Sequence, residues 1–95
     1  MSNSIDCSRR FEAGFVTVTP HAIEVLDPAD IRSSLSRHLK CDWGLVSECD
    51  RLENEFSLDK PLRLFSVYKD SKGHRFWIIT EADRSQTTIL LPEEY

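Results

Sequence analysis

The sequence predicts an α+β domain, with two or three N-terminal helices packed on one face of a three-stranded antiparallel meander. Three observations carry this. Thr19-Pro20 and Asp27-Pro28 each place a capping side chain before a proline suited to the first helical position. Ile31, Leu35 and Leu39 then recur every four residues, the spacing of one helix face. Further on, two apolar runs flank Asp70-Ser71-Lys72-Gly73. A third follows the charged corner Glu81-Ala82-Asp83-Arg84, as in consecutive hairpins.

Residues 1 to 14 are polar or lack periodicity and are expected to be a flexible tail, leaving 15 to 95 as the domain. Phe15 to Val18 alternates weakly and fits a short edge strand. The first helix starts at Thr19-Pro20, with Ala22, Ile23 and Leu26 turned inward. The second runs from Asp27-Pro28 to about Leu39 and ends before Gly44. Ser47-Glu48-Cys49-Asp50 reads as a capping box, with Asp in the reciprocal position. It opens a third helix with Cys49, Leu52 and Phe56 inside, stopped by Lys60-Pro61.

Strands are expected at Leu62–Lys69, His74–Glu81 and Thr87–Leu91. If Lys69 opposes His74, then Val67 faces Phe76 and Phe65 faces Ile78 on the helix side. The expected core is Ile31, Leu35, Leu39, Leu52, Phe56, Phe65, Val67, Phe76 and Ile78. The opposite face carries Tyr68, Trp77 and Ile79. It needs a cover, either the N-terminal segment or a second copy, and a homodimer through these three residues is the expectation.

A single chain of 95 residues supports one small domain. The net charge of −4 disfavours direct nucleic-acid binding. The three cysteines, Cys7, Cys41 and Cys49, are an odd number, and Met1-Ser2-Asn3-Ser4 is polar. Both points argue for the reducing cytoplasm over a secreted disulfide scaffold. No run has the length and apolarity of a membrane span.

The chemistry-bearing residues form no established motif. Glycine-rich phosphate loops, G-x-S-x-G and H-E-x-x-H are absent. His38, Cys41 and Cys49 match no structural zinc spacing, so no metal and no cofactor are expected. His38 lies one step off the apolar stripe of the second helix, close to Asp42 and Trp43. Asp50 and Asn54 are four apart on the third helix. Glu81, Asp83 and Arg84 share one corner. A helix C-terminus and a strand end meet at the same rim of a two-layer domain. His38, Asp42 and the Glu81–Arg84 corner are therefore expected to converge on a polar cleft beside Trp43. The alternative is a structural lock in which Arg84 pairs with Asp42 or Asp83.

Several segments resemble a family of small uncharacterised bacterial proteins of plasmids and other mobile elements, often labelled "plasmid-related". They are Thr19-Pro20-x-Ala22-Ile23, Arg37-His38-x-x-x-Asp42-Trp43-Gly44, Asp50-x-x-x-Asn54, Arg63-x-x-Ser66-x-Tyr68 and the whole of Trp77 to Tyr95. His21 and Cys41 depart from it, standing where the family tends to have glycine. The resemblance implies no mechanism. It selects His38, Asp42, Trp43, Asp50, Asn54, Glu81, Asp83 and Arg84 as a recurring polar set, candidates for binding a ligand.

The functional expectation is a small cytoplasmic accessory or regulatory binding protein without catalysis of its own, with a protein partner as one possibility. One alternative is an RNase-like hydrolase using His38 and Arg63, helped by Ser66, Tyr68 and Thr88. Another is an acidic inhibitor that mimics nucleic acid, which would need its acids clustered on one face.

Overall fold

The computed structural model describes residues 11 to 95. The elements are β1 (Phe15–Val18), α1 (Pro20–Val25), α2 (Pro28–Leu39), α3 (Glu48–Ser57), β2 (Leu64–Lys69), β3 (Arg75–Thr80) and β4 (Gln86–Leu90). A short 3-10 turn, Pro92–Glu94, follows. Among the described residues no helix is long and apolar enough to cross a membrane.

The α+β class and the antiparallel β2-β3-β4 meander agree with the sequence expectation. The sheet itself differs. It has four strands in the order β1-β4-β3-β2, and β1 runs parallel to β4. The chain between them crosses over through the helices, as a parallel pair requires.

Each helix start is set by its cap. The Thr19 hydroxyl accepts from Ala22 N at 3.3 Å, Asp27 Oδ1 from Ala29 N at 2.8 Å, and Ser47 Oγ from Asp50 N at 3.1 Å. The end of α2 is a Schellman turn, with Asp42 N bonded to Arg37 O and Cys41 N to His38 O. That turn needs a left-handed residue, and Cys41 supplies it at φ 68°. A side chain there opposes the conformation that glycine adopts freely. Cys41→Gly is therefore expected to raise stability by about 1 kcal/mol. A lower urea midpoint in the variant would show that the Cys41 side chain outweighs the backbone strain.

The core lies between the sheet and α1–α2. Ala22, Leu26, Tyr68, Phe76, Ile78, Ile89 and Leu91 form it, with Val18, Val25, Ile31 and Leu35 packed against it. Leu39 is buried and Phe76 and Ile78 are fully so, as expected. Ile31 and Leu35 pack against the core, also as expected, and Val67 is buried but on the other face; Leu52, Phe56 and Phe65 need correcting. The hairpin pairs Tyr68 with Phe76 and Lys69 with Arg75, one residue away from the expected register. Asp70 causes the shift. Its backbone N bonds His74 O at 2.9 Å, while its Oδ1 accepts from the backbone N of Lys72 and of His74. Asp70 and His74 thus close a three-residue loop ending in left-handed Gly73. A slip of one residue turns β2 over. Leu64, Ser66 and Tyr68 face the helices, whereas Phe65 and Val67 join Trp77 and Ile79 on the other side.

Helix α3 is also rotated relative to expectation. It buries Asn54 and Ser57, and Leu52 and Phe56 are 54% and 58% exposed. Cys49, also expected inside, is exposed. Ala22 in α1 and Leu26 at its C-cap are buried, and Ile23 is exposed.

Residues 1 to 10 of the expected tail lie outside the described residues. Phe11 stacks on Trp43 with ring centroids 6.1 Å apart, and Ala13 is buried.

Candidate functional site

His38 is the deepest of the sequence-selected residues, with 0% exposure. Its ring is packed edge-on against Phe11 and Trp43. Nδ1 meets Ser66 Oγ, and Nε2 meets Thr80 Oγ1 at 2.9 Å. Thr80 and Thr87 hydroxyls are 2.8 Å apart, and Thr87 Oγ1 donates to Ala13 O at 2.7 Å. The carbonyl at the end of this chain sets its direction, because it can only accept. Thr87 donates to Ala13, so Thr80 donates to Thr87. His38 Nε2–H then donates to Thr80, and Ser66 donates to His38 Nδ1. The imidazole is thereby fixed as one neutral tautomer, and burial lowers its pKa from 6.5 to about 3. This is a satisfied core histidine that ties α2 to β2, β3 and β4.

Trp43 is buried and donates Nε1–H to Glu55 Oε2 at 2.9 Å. Asp42 forms a bidentate pair with Arg37, at 2.8 and 3.2 Å. That guanidinium holds the Asp42 carboxyl below its ordinary range. Asp50 is exposed in the first turn of α3.

Asn54, at 3% exposure, points at the outer edge of β2. Its Nδ2 donates to Phe65 O at 2.6 Å, and its Oδ1 accepts from Phe65 N at 3.0 Å. Two residues on, Val67 N bonds Trp43 O and Leu45 N bonds Val67 O. The side-chain amide and the Trp43–Leu45 segment together close that edge. Gly44 makes the close approach possible, because a Cβ there would lie 2.1 Å from Val67 O.

Glu81 pairs with Arg63 at 3.3 Å, and Asp83 accepts from the Ser85 hydroxyl at 2.6 Å. Arg84 grips backbone. Its guanidinium donates to Leu62 O, Glu81 O and Ala82 O through one nitrogen, and to Ser57 O and Lys60 O through the other. It thus binds the C-terminal end of α3 to the β3–β4 turn and offsets the negative end of the helix dipole. Lysine, a point charge on a flexible stem, cannot reproduce this fork. Arg84→Lys is expected to cost about 1–3 kcal/mol. An unchanged denaturation midpoint would show that water replaces the guanidinium without loss.

Neither of the two described cavities is lined by any of the eight candidate residues. One is bounded by Arg63, Phe65, Trp77, Ile79 and Tyr95, the other by Val25, Leu91 and the β2–β3 hairpin end. The RNase-like set also separates. His38, Ser66 and Tyr68 lie buried on the helix side of the sheet. Arg63 and Thr88 lie on the other side, with Arg63 bonded to Tyr95 Oη and Thr88 paired with Ile79.

Two apolar surfaces stand out instead. On α3, Leu52 and Phe56 are one turn apart and exposed, and Leu45, three residues before the helix, is 52% exposed. The Lys60 ammonium sits 4.6 Å from the Phe56 ring centroid. Exposed Glu48, Asp50, Glu53 and Glu55 share this helix. Its apolar stripe was visible in the sequence, although its outward direction was not. The second surface is the helix-free side of the sheet. There Phe65, Trp77, Ile79, Tyr95 and Arg63 bound a groove of about 310 Å³. The Tyr95 ring stands edge-on to Trp77 at 5.4 Å. Tyr68, expected on this side, is buried in the core with its hydroxyl donating to Asp42 O.

No family model, curated protein or solved structure matches the chain.

Proposed function

We propose that the protein is a small non-catalytic binding protein whose recognition element is α3. The observation that carries this is the direction of the helix, which buries an asparagine and a serine while turning Leu52 and Phe56 to solvent. A helix with an apolar stripe ordinarily turns it to its own core. Outward, the stripe offers anchors one turn apart, the pattern of a helix laid into a partner's groove. The exposed acids on the helix suit a groove with a basic rim. His38, the main acid–base candidate, supports the non-catalytic part of the reading, because its ring is fully buried and both ring nitrogens meet Ser66 and Thr80 hydroxyls. By its resemblance, such a protein would act as an accessory or regulator of a mobile element, in the cytoplasm.

The test uses Leu52→Ser with Phe56→Ser. Each change is expected to alter stability by less than about 0.5 kcal/mol, as for exposed positions. The double variant should lose the protein that the wild type retains from cell extract at physiological salt. A stability loss above about 2 kcal/mol would make these side chains core and end the proposal.

A second reading, a homodimer through the helix-free sheet face, is favoured by the apolar groove beside Trp77 and Ile79. Tyr68 has no part in it. Sedimentation should give a dimer at micromolar concentration and a monomer for Trp77→Ser. A monomeric wild type removes it.

A further inference from the structure

We propose that the open cavity at the β2–β3 hairpin end binds a small phosphate-bearing organic molecule. The cavity, about 530 Å³, is lined by Lys69, His74 and Arg75 together with Val25, Leu91 and Pro92. That volume suits a small ligand.

The charge arrangement points to an anion. Lys69 and Arg75 are directly opposite each other in the ladder. Like charges in that position destabilise a hairpin unless something lies between or beside them. Among the described residues no carboxylate comes within ion-pair distance of either. Asp70, the nearest acid in sequence, is unavailable. Its carboxylate accepts from the Lys72 and His74 backbones and from His74 Nδ1, and its side chain is fully buried. The same bonds pin His74 at the cavity wall, with Nε2 as its remaining polar ring atom. A guanidinium beside an ammonium is a donor set matched to phosphate oxygens. It stands out on a chain whose net charge is −4.

The rest of the lining selects against a bare anion. Val25, Leu91 and Pro92 offer apolar surface, and Glu93 lines the cavity as an acceptor. Glu93 repels an inorganic polyanion and accepts from an N–H or O–H. The ligand is therefore one with phosphates at one end and a flat or cyclic organic part carrying donors at the other, which is the chemistry of a nucleotide.

The experiment is amide NMR titration with ADP, with pyrophosphate and a short single-stranded oligonucleotide as parallel probes. ADP is expected to move the amides of Lys69, His74 and Arg75 together with those of Val25 and Leu91, and to raise Tm. Lys69→Gln with Arg75→Gln should leave or raise the apo Tm, because the like-charge pair is gone. It should weaken ADP binding by at least about tenfold. Three results would overturn the assignment. One is no shift at millimolar ADP, or the same shift in the double variant. Another is pyrophosphate binding as tightly as ADP, which removes the organic half. The third is an oligonucleotide binding more tightly than ADP, which moves the surface to nucleic acid.

Discussion

Phe76→Ala is expected to cost about 3–5 kcal/mol and to leave the domain largely unfolded at room temperature. Phe76 is fully buried at the centre of the helix-facing side. Its ring lies 5.9 Å from that of Tyr68, its cross-strand partner, within the cluster that includes Ala22, Leu26, Ile78 and Ile89. Truncation removes the largest side chain of β3 facing the helices and leaves a cavity that short, capped helices cannot collapse to fill. Phe15, 82% exposed on β1, is the matched control, and its alanine variant should change stability by less than about 0.5 kcal/mol. Urea melts of the two variants decide the matter. A loss under about 1 kcal/mol for Phe76 would mean that the helix layer is not where the core lies.

Acid should destabilise the protein well before its carboxylates protonate. His38 has a pKa of about 3 in the fold against 6.5 for the free side chain. Between those values the unfolded chain binds a proton that the folded chain refuses, so stability falls as pH falls. The contribution is complete above pH 6.5 and is lost at about 1.4 kcal/mol per pH unit below it, roughly 3 kcal/mol by pH 4. The cause is geometric, because a second ring proton would have to displace the Ser66 hydroxyl hydrogen in a site without a carboxylate. The carboxyls of Asp42 and Asp70 are held low, Asp42 by Arg37 and Asp70 by hydrogen bonds from His74 and Lys72 that overcome its burial. They add their losses only in stronger acid. Stability measured by urea melts from pH 7 to 5 should slope downward in the wild type and be flat in His38→Gln. Equal slopes would assign the acid sensitivity to other groups.

Local signals in the sequence were reliable where one residue decides the outcome. Thr19, Asp27 and Ser47 cap their helices through their own side chains, and Gly73 takes the left-handed position of its loop. What the sequence could not show is direction. Leu52 and Phe56 form a stripe at helical spacing, but periodicity does not say whether the stripe faces the core. Here the sheet edge required an amide, and Asn54 claimed the inward side. The β2 register depended on whether Asp70 stood in the loop or closed it, a matter settled by its side-chain bonds. The parallel pairing of β1 with β4 joins distant segments and leaves no periodic trace. His38 stands out in the sequence as a histidine beside an apolar stripe, but its partners, Ser66 and Thr80, lie on β2 and β3. Ser66, Thr80 and Thr87, hydroxyl residues at alternating strand positions, were the available sign that a polar group lies inside.

The pairing of β1 with β4 also bears on synthesis. Ala13 and Thr87 bond across 74 residues, and Thr17 and Thr88 across 71. A nascent chain therefore makes Phe15–Val18 some 71 residues before their neighbour. Until Leu90 has left the ribosome, this uncharged, β-prone tetrapeptide has no native strand beside it, and the His38 chain has no Thr87 to continue it. Closing so long a loop is slow, and an unpaired strand left waiting is open to capture by other chains. The domain is thus expected to complete its sheet only after translation of β4, with the first strand made among the last to dock.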